Sequence, residues 1–328
     1  MSLVIDKLDK RFGSTLALDG LSFDVPAGQV FGFLGANGAG KTTTMRIVLG
    51  VLEADAGTVA WDGTDHRAIP RSTWGYLPEE RGLYPRMTVV DQLVYFASLY
   101  GVEEDRARRE ARHWLSRFRV PELGDRKAEE LSKGNQQKIQ LIAAILHDPQ
   151  VLLMDEPFTG LDPVNVALLR EAFLELRDQG KTLMFSTHQM ETVEALCESI
   201  AIVDRGRVVV GGAVRDIRRA AGRRMVKLAI EGDHRLAWIA DVPGARILRP
   251  GIDRTEVELD AGVDPDVVLQ AAIARGARVT HFEVSEASLE QIFIDHVGHP
   301  PEEETHLAPD TEAPGAAEGA VATDEPAA

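Results

Sequence analysis

The sequence predicts an α/β protein whose core carries a glycine-rich loop between a strand and a helix, followed by a smaller α+β unit and an acidic tail. Three observations predict it. In "VFGFLGANGAGKTTTMRIVLG", residues 30–50, an apolar run of strand length passes through a glycine-rich loop into a helical pattern. In "VLLMDEP", "VNVALLREAFLELRDQG" and "TLMFSTH", residues 151–188, strand, helix and strand follow in the rhythm of parallel pairing inside a covered sheet. The patterning then changes near residue 222 and the composition near residue 300.

The elements follow in order. Residues 1 to about 85 read as strands and turns, because "LVIDKLDKRFG" and "LALDGLSFDVPAGQVFGFLG" alternate apolar and polar residues between Gly and Pro punctuation. From about 86 to 148 the period becomes helical. "MTVVDQLVYFASLYG" begins with Thr88 and Asp91 as a capping pair and ends at Gly101. The basic stretch "RARREARHWLSRFR" reads as a solvated helix face, and "NQQKIQLIAAILHD" completes this helical insert. Beyond 222, "MVKLAI", "RLAWIA", "ARIL", "TEVEL", "DPDVVLQAAIARGA" and "VTHFEV" read as strand, short helix, strand, strand, helix and strand. That order suggests a ferredoxin-like split βαβ, with "EASLEQIFIDHV" as an added helix. The domain expectation is therefore 1–221, 222–299 and a tail, 300–328.

Composition narrows the function classes. The 328 residues are 44% hydrophobic and 27% charged, as in globular chains, and no apolar run approaches the roughly 18 residues of a membrane span. The start "MSLVIDKLDKRFG" lacks an apolar signal core, an expectation against secretion. The single cysteine, Cys197, reads as a small buried hydrophobe. Of the formal net charge of −16, eight carboxylates and no Lys or Arg lie beyond Pro300, in a Pro/Ala/Glu segment expected to be disordered. This balance gives no support to nucleic-acid binding.

"GANGAGKTT" contains Gly35, Ala36, Asn37, Gly38, Ala39, Gly40, Lys41, Thr42 and Thr43 and fits G-x-x-x-x-G-K-[ST] in the required strand–loop–helix context. Its glycines let backbone N–H groups turn inward on a phosphate, and the helix that follows adds its positive end. Lys41 is expected to reach the outer phosphates and the Thr42 hydroxyl to ligate Mg²⁺. "VLLMDEP" places Asp155 near that Mg²⁺ and Glu156 where it can deprotonate an attacking water. Two acids at a strand end are otherwise an ordinary turn; the upstream loop gives them a substrate. His188, after a third strand, is expected at the γ-phosphate.

"LSKGNQQK", residues 131–138, is a second Gly/Ser turn at a helix start, with Ser132 as N-cap and Ile139, Ile142, Ala143 and Leu146 at core-facing spacing. With it the motifs come together. Residues 1 to about 220 resemble the nucleotide-binding subunit of an ATP-binding cassette (ABC) transporter. "RFG" matches the adenine-stacking loop, "GANGAGKT" Walker A, "YLPEE" the Q-loop, "LSKGNQQ" the signature, "VLLMDEP" Walker B, "TGLDP" the D-loop and "STH" the switch histidine.

The resemblance implies a P-loop NTPase fold of the ABC-ATPase kind and an ATPase that uses ATP and Mg²⁺. It implies a head-to-tail homodimer in which each signature closes over the partner's ATP, with Phe12 stacking on adenine, Ser132 and Gly134 at the partner's γ-phosphate, and Asp162 coupling the sites. It also implies a separate transmembrane permease that holds the chain on the cytoplasmic face of the membrane. Two motifs depart from the family pattern. Lys133 and Asn135 replace Gly and Gln in the signature, and Glu79 replaces the Q-loop Gln, where it is an extra candidate Mg²⁺ ligand. Residues 222–299, through "FEVSEASLEQIF", resemble the accessory domain of a bacterial exporter subfamily, so export is the expected direction. The alternative is a soluble ATP-dependent switch acting on a ribosome or DNA. Such relatives carry two cassettes in one chain or a long coiled coil, and neither feature occurs here.

Overall fold

The computed structural model describes residues 1–298 apart from 81, 223, 252 and 261; the expected disordered tail lies outside the described residues. The strand-rich first segment divides between two sheets. β1 (Ser2–Phe12) and β2 (Thr15–Pro26) form a hairpin. β3 (Val30–Leu34) leaves that hairpin and enters α1 (Lys41–Val48) through the glycine loop. β4 (Ala56–Trp61) and the short β5 (Thr64–Asp65) return to give an antiparallel sheet of order β2-β1-β4-β5. β3 departs because "VFGFL" is apolar at every position and buried throughout, whereas β2 alternates and keeps one face in solvent.

The second sheet takes β6 (Trp74–Leu77), β7 (Val151–Asp155), β8 (Thr182–Thr187), β9 (Ser199–Asp204) and β10 (Arg207–Ala213) in the order β10-β9-β3-β8-β7-β6. β3, β6, β7, β8 and β9 pair in parallel, and β10 closes one edge antiparallel. β3 and β7 thus both flank β8, which brings three strand ends to one edge.

Both faces of this sheet are covered. Phe31, Phe33 and Met184 pack with Leu3, Ile5 and Val59 of the first sheet. The opposite face carries the helical layer: α2 (Val89–Ser98), α3 (Glu104–Arg117), α4 (Lys133–Ile145) and α5 (Pro163–Asp178). Thr88 caps α2 by accepting the Asp91 N–H at 3.3 Å, and its hydroxyl donates to the Asp91 carboxylate at 2.7 Å. Cys197 is buried, and that burial raises its thiol pKa.

After the short α6 (Met190–Leu196) and α7 (Val214–Ala220) come β11 (Arg224–Ile230), β12 (Ala245–Arg249), β13 (Thr255–Leu259), α8 (Asp266–Ala274) and β14 (Val279–Glu286). Their antiparallel order, β12-β13-β11-β14, is that of a ferredoxin-like sheet. The first crossover is a five-residue 3₁₀ turn, Ala237–Asp241, in place of a full helix. This sheet and α8 have their own core around Val226, Leu228, Val257 and Val268. α9 (Leu289–Val297) leaves that core, and Leu289, Ile292 and Phe293 are buried in the main helical layer.

Candidate functional site

The site begins where β3 runs out. Gly35 is required because a Cβ there would stand 2.5 Å from the Val203 carbonyl oxygen on β9. Gly40 has φ 108°, and a Cβ there would stand 2.6 Å from Leu18 Cδ2. Gly206, in the β9–β10 turn, seals the same corner: its N–H donates to Ala39 O at 3.0 Å and its carbonyl accepts the Asp19 N–H at 3.0 Å. A Cβ on Gly206 would lie 2.7 Å from Ala17 O. The floor of the loop is therefore built largely from backbone atoms of two distant segments, 17–19 and 203–206.

α1 starts at Lys41 with no side-chain cap, so its first N–H groups are available to an anion in front of the helix. Lys41 is buried at 7% exposure, and its ammonium donates to Gly35 O at 2.7 Å and to Ala36 O at 3.2 Å. Burial lowers its pKa, and the carboxylates of Glu156, Asp155 and Glu79 oppose that effect.

β7 supplies the acids. Asp155 is 1% exposed, accepts the Thr42 hydroxyl on Oδ2 at 2.6 Å and accepts the Ser186 hydroxyl on Oδ1. The Ser186 oxygen in turn accepts the Glu156 N–H at 3.1 Å. Glu156 has φ 46°, a left-handed backbone that a non-glycine residue adopts only where its surroundings fix it. Its Oε1 accepts from His188 Nδ1 at 3.1 Å and its Oε2 from the Thr159 hydroxyl at 3.2 Å.

These groups surround a cleft of about 310 Å³, lined among others by Ala17, Asn37, Lys41, Glu79, Glu156 and His188. Gly38, Gly40, Thr42, Thr43 and Asp155 line it too. Gly35 and Ala36 reach it through Lys41, and Ala39 is buried behind it. The arrangement can receive a polyphosphate at the loop, a divalent cation beside it and a water in front of Glu156. For Mg²⁺ the donor set fits: the Thr42 hydroxyl and an Asp155 carboxylate oxygen already converge on one point, with Glu79 on the same cleft. Hard oxygen donors, few in number, suit a cation that keeps several waters and takes the rest of its ligands from phosphate.

Phe12, Ser132, Gly134 and Asp162 do not line this cleft. Phe12 stands half-exposed at the end of β1, with the Lys10 ammonium 5.6 Å from its ring centre. Ser132 and Lys133 are exposed, and Ser132 Oγ caps α4 by accepting the Asn135 N–H at 3.3 Å. Behind them, a Cβ on Gly134 would lie 3.0 Å from Asn165 Nδ2, which donates to Asp162 Oδ2 at 2.6 Å. Asp162 also accepts the Asn165 N–H at 2.9 Å, and that bond lowers its pKa. Gln137 Nε2 donates to Pro157 O at 3.1 Å and Gln140 Nε2 to Glu80 O at 3.1 Å, so α4 is tied to the acidic turn and to the loop after β6.

Ser186, Thr159 and Gln137 escaped the sequence reading. The one signal for Ser186 was a polar interruption of the buried run "TLMFSTH".

Residues 18–159 match the family described as ABC transporter, and residues 212–297 match one described as ATP-binding protein DrrA1-3-like, C-terminal domain. The uncharacterized ABC transporter ATP-binding protein YhaQ of Bacillus subtilis (strain 168) is 45% identical over 296 residues, 90% of this chain and 98% of that one. Nod factor export ATP-binding protein I of Paraburkholderia xenovorans (strain LB400) is 39% identical over 215 residues, 65% of this chain and 71% of that one. A solved structure of the ATP binding subunit of an ABC transporter superposes with a TM-score of 0.63 at 32% identity, covering 68% of this chain and 94% of that chain.

Proposed function

The chain belongs to the family of ABC transporter ATP-binding proteins, and from that premise we propose that it hydrolyses ATP as a homodimer to drive export through a separate membrane permease. The observation that carries the reading is the 2.6 Å bond between Thr42 and Asp155, with Glu156 and His188 on the same cleft. The loop amides and Lys41 bind the outer phosphates. Thr42 and Asp155, with Glu79 beside them, hold Mg²⁺, which when bound neutralises phosphate charge. Glu156 takes a proton from water as the water oxygen attacks the γ-phosphorus and the bond to ADP breaks. His188, with Nδ1 on Glu156, presents its other ring nitrogen toward the γ-phosphate.

Phe12 stacks on adenine. Ser132 and Gly134, exposed or partly exposed at a helix N-terminus away from their own cleft, serve the partner's nucleotide, and Asp162 couples the two sites. A separate permease is part of the reading; among the described residues no helix is long and apolar enough to cross a membrane. Through that permease the chain sits on the cytoplasmic face. Export is supported by the printed name of the Nod factor export relative. The division into a nucleotide-binding unit, 1–221, and an accessory unit, 222–299, belongs to the same proposal.

Glu156→Gln is the test. It keeps the shape and removes the base, so ATP binding persists, an ATP-bound dimer accumulates in gel filtration, and turnover falls by about 10²- to 10⁴-fold. Near-normal hydrolysis would remove Glu156 from the chemistry.

A further inference from the structure

α6 starts two residues after His188, and its far end meets the accessory region. Glu194, on the last turn of α6, accepts the Leu289 N–H on Oε1 at 2.6 Å, the first-turn amide of α9. The same oxygen takes Arg218 Nη2 of α7 at 2.7 Å. A carboxylate at a helix N-terminus satisfies an orphan donor and opposes the positive end of the helix dipole. Around this joint, Met190, Val193 and Leu196 of α6 share one buried cluster with Ala287, Leu289, Ile292 and Phe293. Ser288 caps α9 independently by accepting the Gln291 N–H at 3.2 Å, so α9 does not need Glu194 to form. Glu194 instead fixes where α9 sits relative to α6.

We propose that Glu194 is a positioning residue that locks α6 to α9, so that the accessory region and the His188–Glu156 contact move as one and each reports the state of the other. A seven-residue helix, anchored through its own buried Val193 in the cluster that also holds Leu289, Ile292 and Phe293, is short and stiff enough to carry a shift at Leu289 to His188. Coupling of this kind is reciprocal: if α9 docking sets His188, then nucleotide at His188 sets α9 docking. This rests on the reading of His188 as a γ-phosphate contact.

The experiment uses the full chain and Mg-ATP. In Glu156→Gln, which binds without turnover, ATP should slow hydrogen exchange of the amides in 288–297; unchanged exchange there overturns the proposal without any change at Glu194. Glu194→Ala should lower kcat by about fivefold or more while KM for ATP stays within about twofold, and should abolish the ATP-dependent protection of 288–297. Glu194→Gln, which keeps an acceptor for the Leu289 N–H, should restore most of kcat and the protection. Wild-type kcat and wild-type protection in Glu194→Ala would also overturn the proposal. His188→Ala separates the two readings. If His188→Ala turns over ATP normally, the γ-phosphate reading has failed; if it loses turnover while Glu194→Ala behaves as wild type, only the coupling has failed.

Discussion

Ser186→Ala is the sharpest test of how the two acids are held. The serine is fully buried, and its hydroxyl is shared: the proton goes to Asp155 Oδ1 and the oxygen receives the Glu156 N–H. Alanine leaves a carboxylate oxygen and an amide without those partners, in a place 1% exposed at Asp155. A hydrogen bond to a charged group contributes about 1.5–3 kcal/mol and a neutral one about 1 kcal/mol, so the folded state should lose about 2.5–4 kcal/mol. Glu156 also loses the anchor of a left-handed backbone that itself costs about 1–3 kcal/mol. When the backbone relaxes, its carboxylate leaves the water's path, and kcat should fall by about 10- to 100-fold, equivalent to about 1.4–2.7 kcal/mol of barrier. Urea unfolding followed through the buried Trp61–Trp74 pair reads the first quantity and steady-state phosphate release the second. A loss below about 0.5 kcal/mol with kcat within about twofold of wild type would refute the claim that Ser186 fixes both acids.

Three further outcomes are expected. Mixing Lys41→Ala chains with Ser132→Arg chains should restore hydrolysis through one intact composite site per heterodimer; silent heterodimers, with assembly verified by cross-linking, would argue against sharing across chains. Gly35→Ala should cost several-fold or more in ATP affinity by calorimetry, because the added Cβ meets a backbone oxygen at 2.5 Å that no rotamer change relieves; unchanged affinity would mean the β3–β9 contact is soft. Deleting 300–328 should leave ATPase turnover unchanged, and a large loss would give the acidic segment a role in the cycle.

The site was legible to the extent that its chemistry is local in the chain. "GANGAGKTT", "MDEP" and "STH" each sit at the end of an apolar run, and that placement, with the phosphate-loop motif, is what put them on one edge in the reading. Their mutual bonds were not legible, because these depend on β8 lying between β3 and β7, a choice among pairings up to about 150 residues apart that alternation does not encode. Ser186 leaves only its polar interruption of "TLMFSTH", and its role was not legible, because its partners Asp155 and Glu156 belong to the neighbouring strand and its end. The left-handed turn at Glu156 carries no composition signal, since glycine or asparagine would be the usual choice there. In the C-terminal region the strand and helix order was readable from periodicity, as was the α9 helix. Which core α9 enters was not, because an amphipathic nine-residue stripe fits any complementary surface.

The backbone corner formed by Ala17, Ala39 and Gly206 has a consequence for the order in which the molecule can be made. The phosphate loop is finished by residue 43, but its floor arrives with Gly206, more than 160 residues later, through contacts that only the closed β9–β10 turn provides. Closing the chain over that separation costs more entropy than forming the local contacts of the loop itself. A nascent N-terminal half therefore carries the loop sequence without Gly206 and without the backbone bonds that Gly206 makes to Ala39 and Asp19.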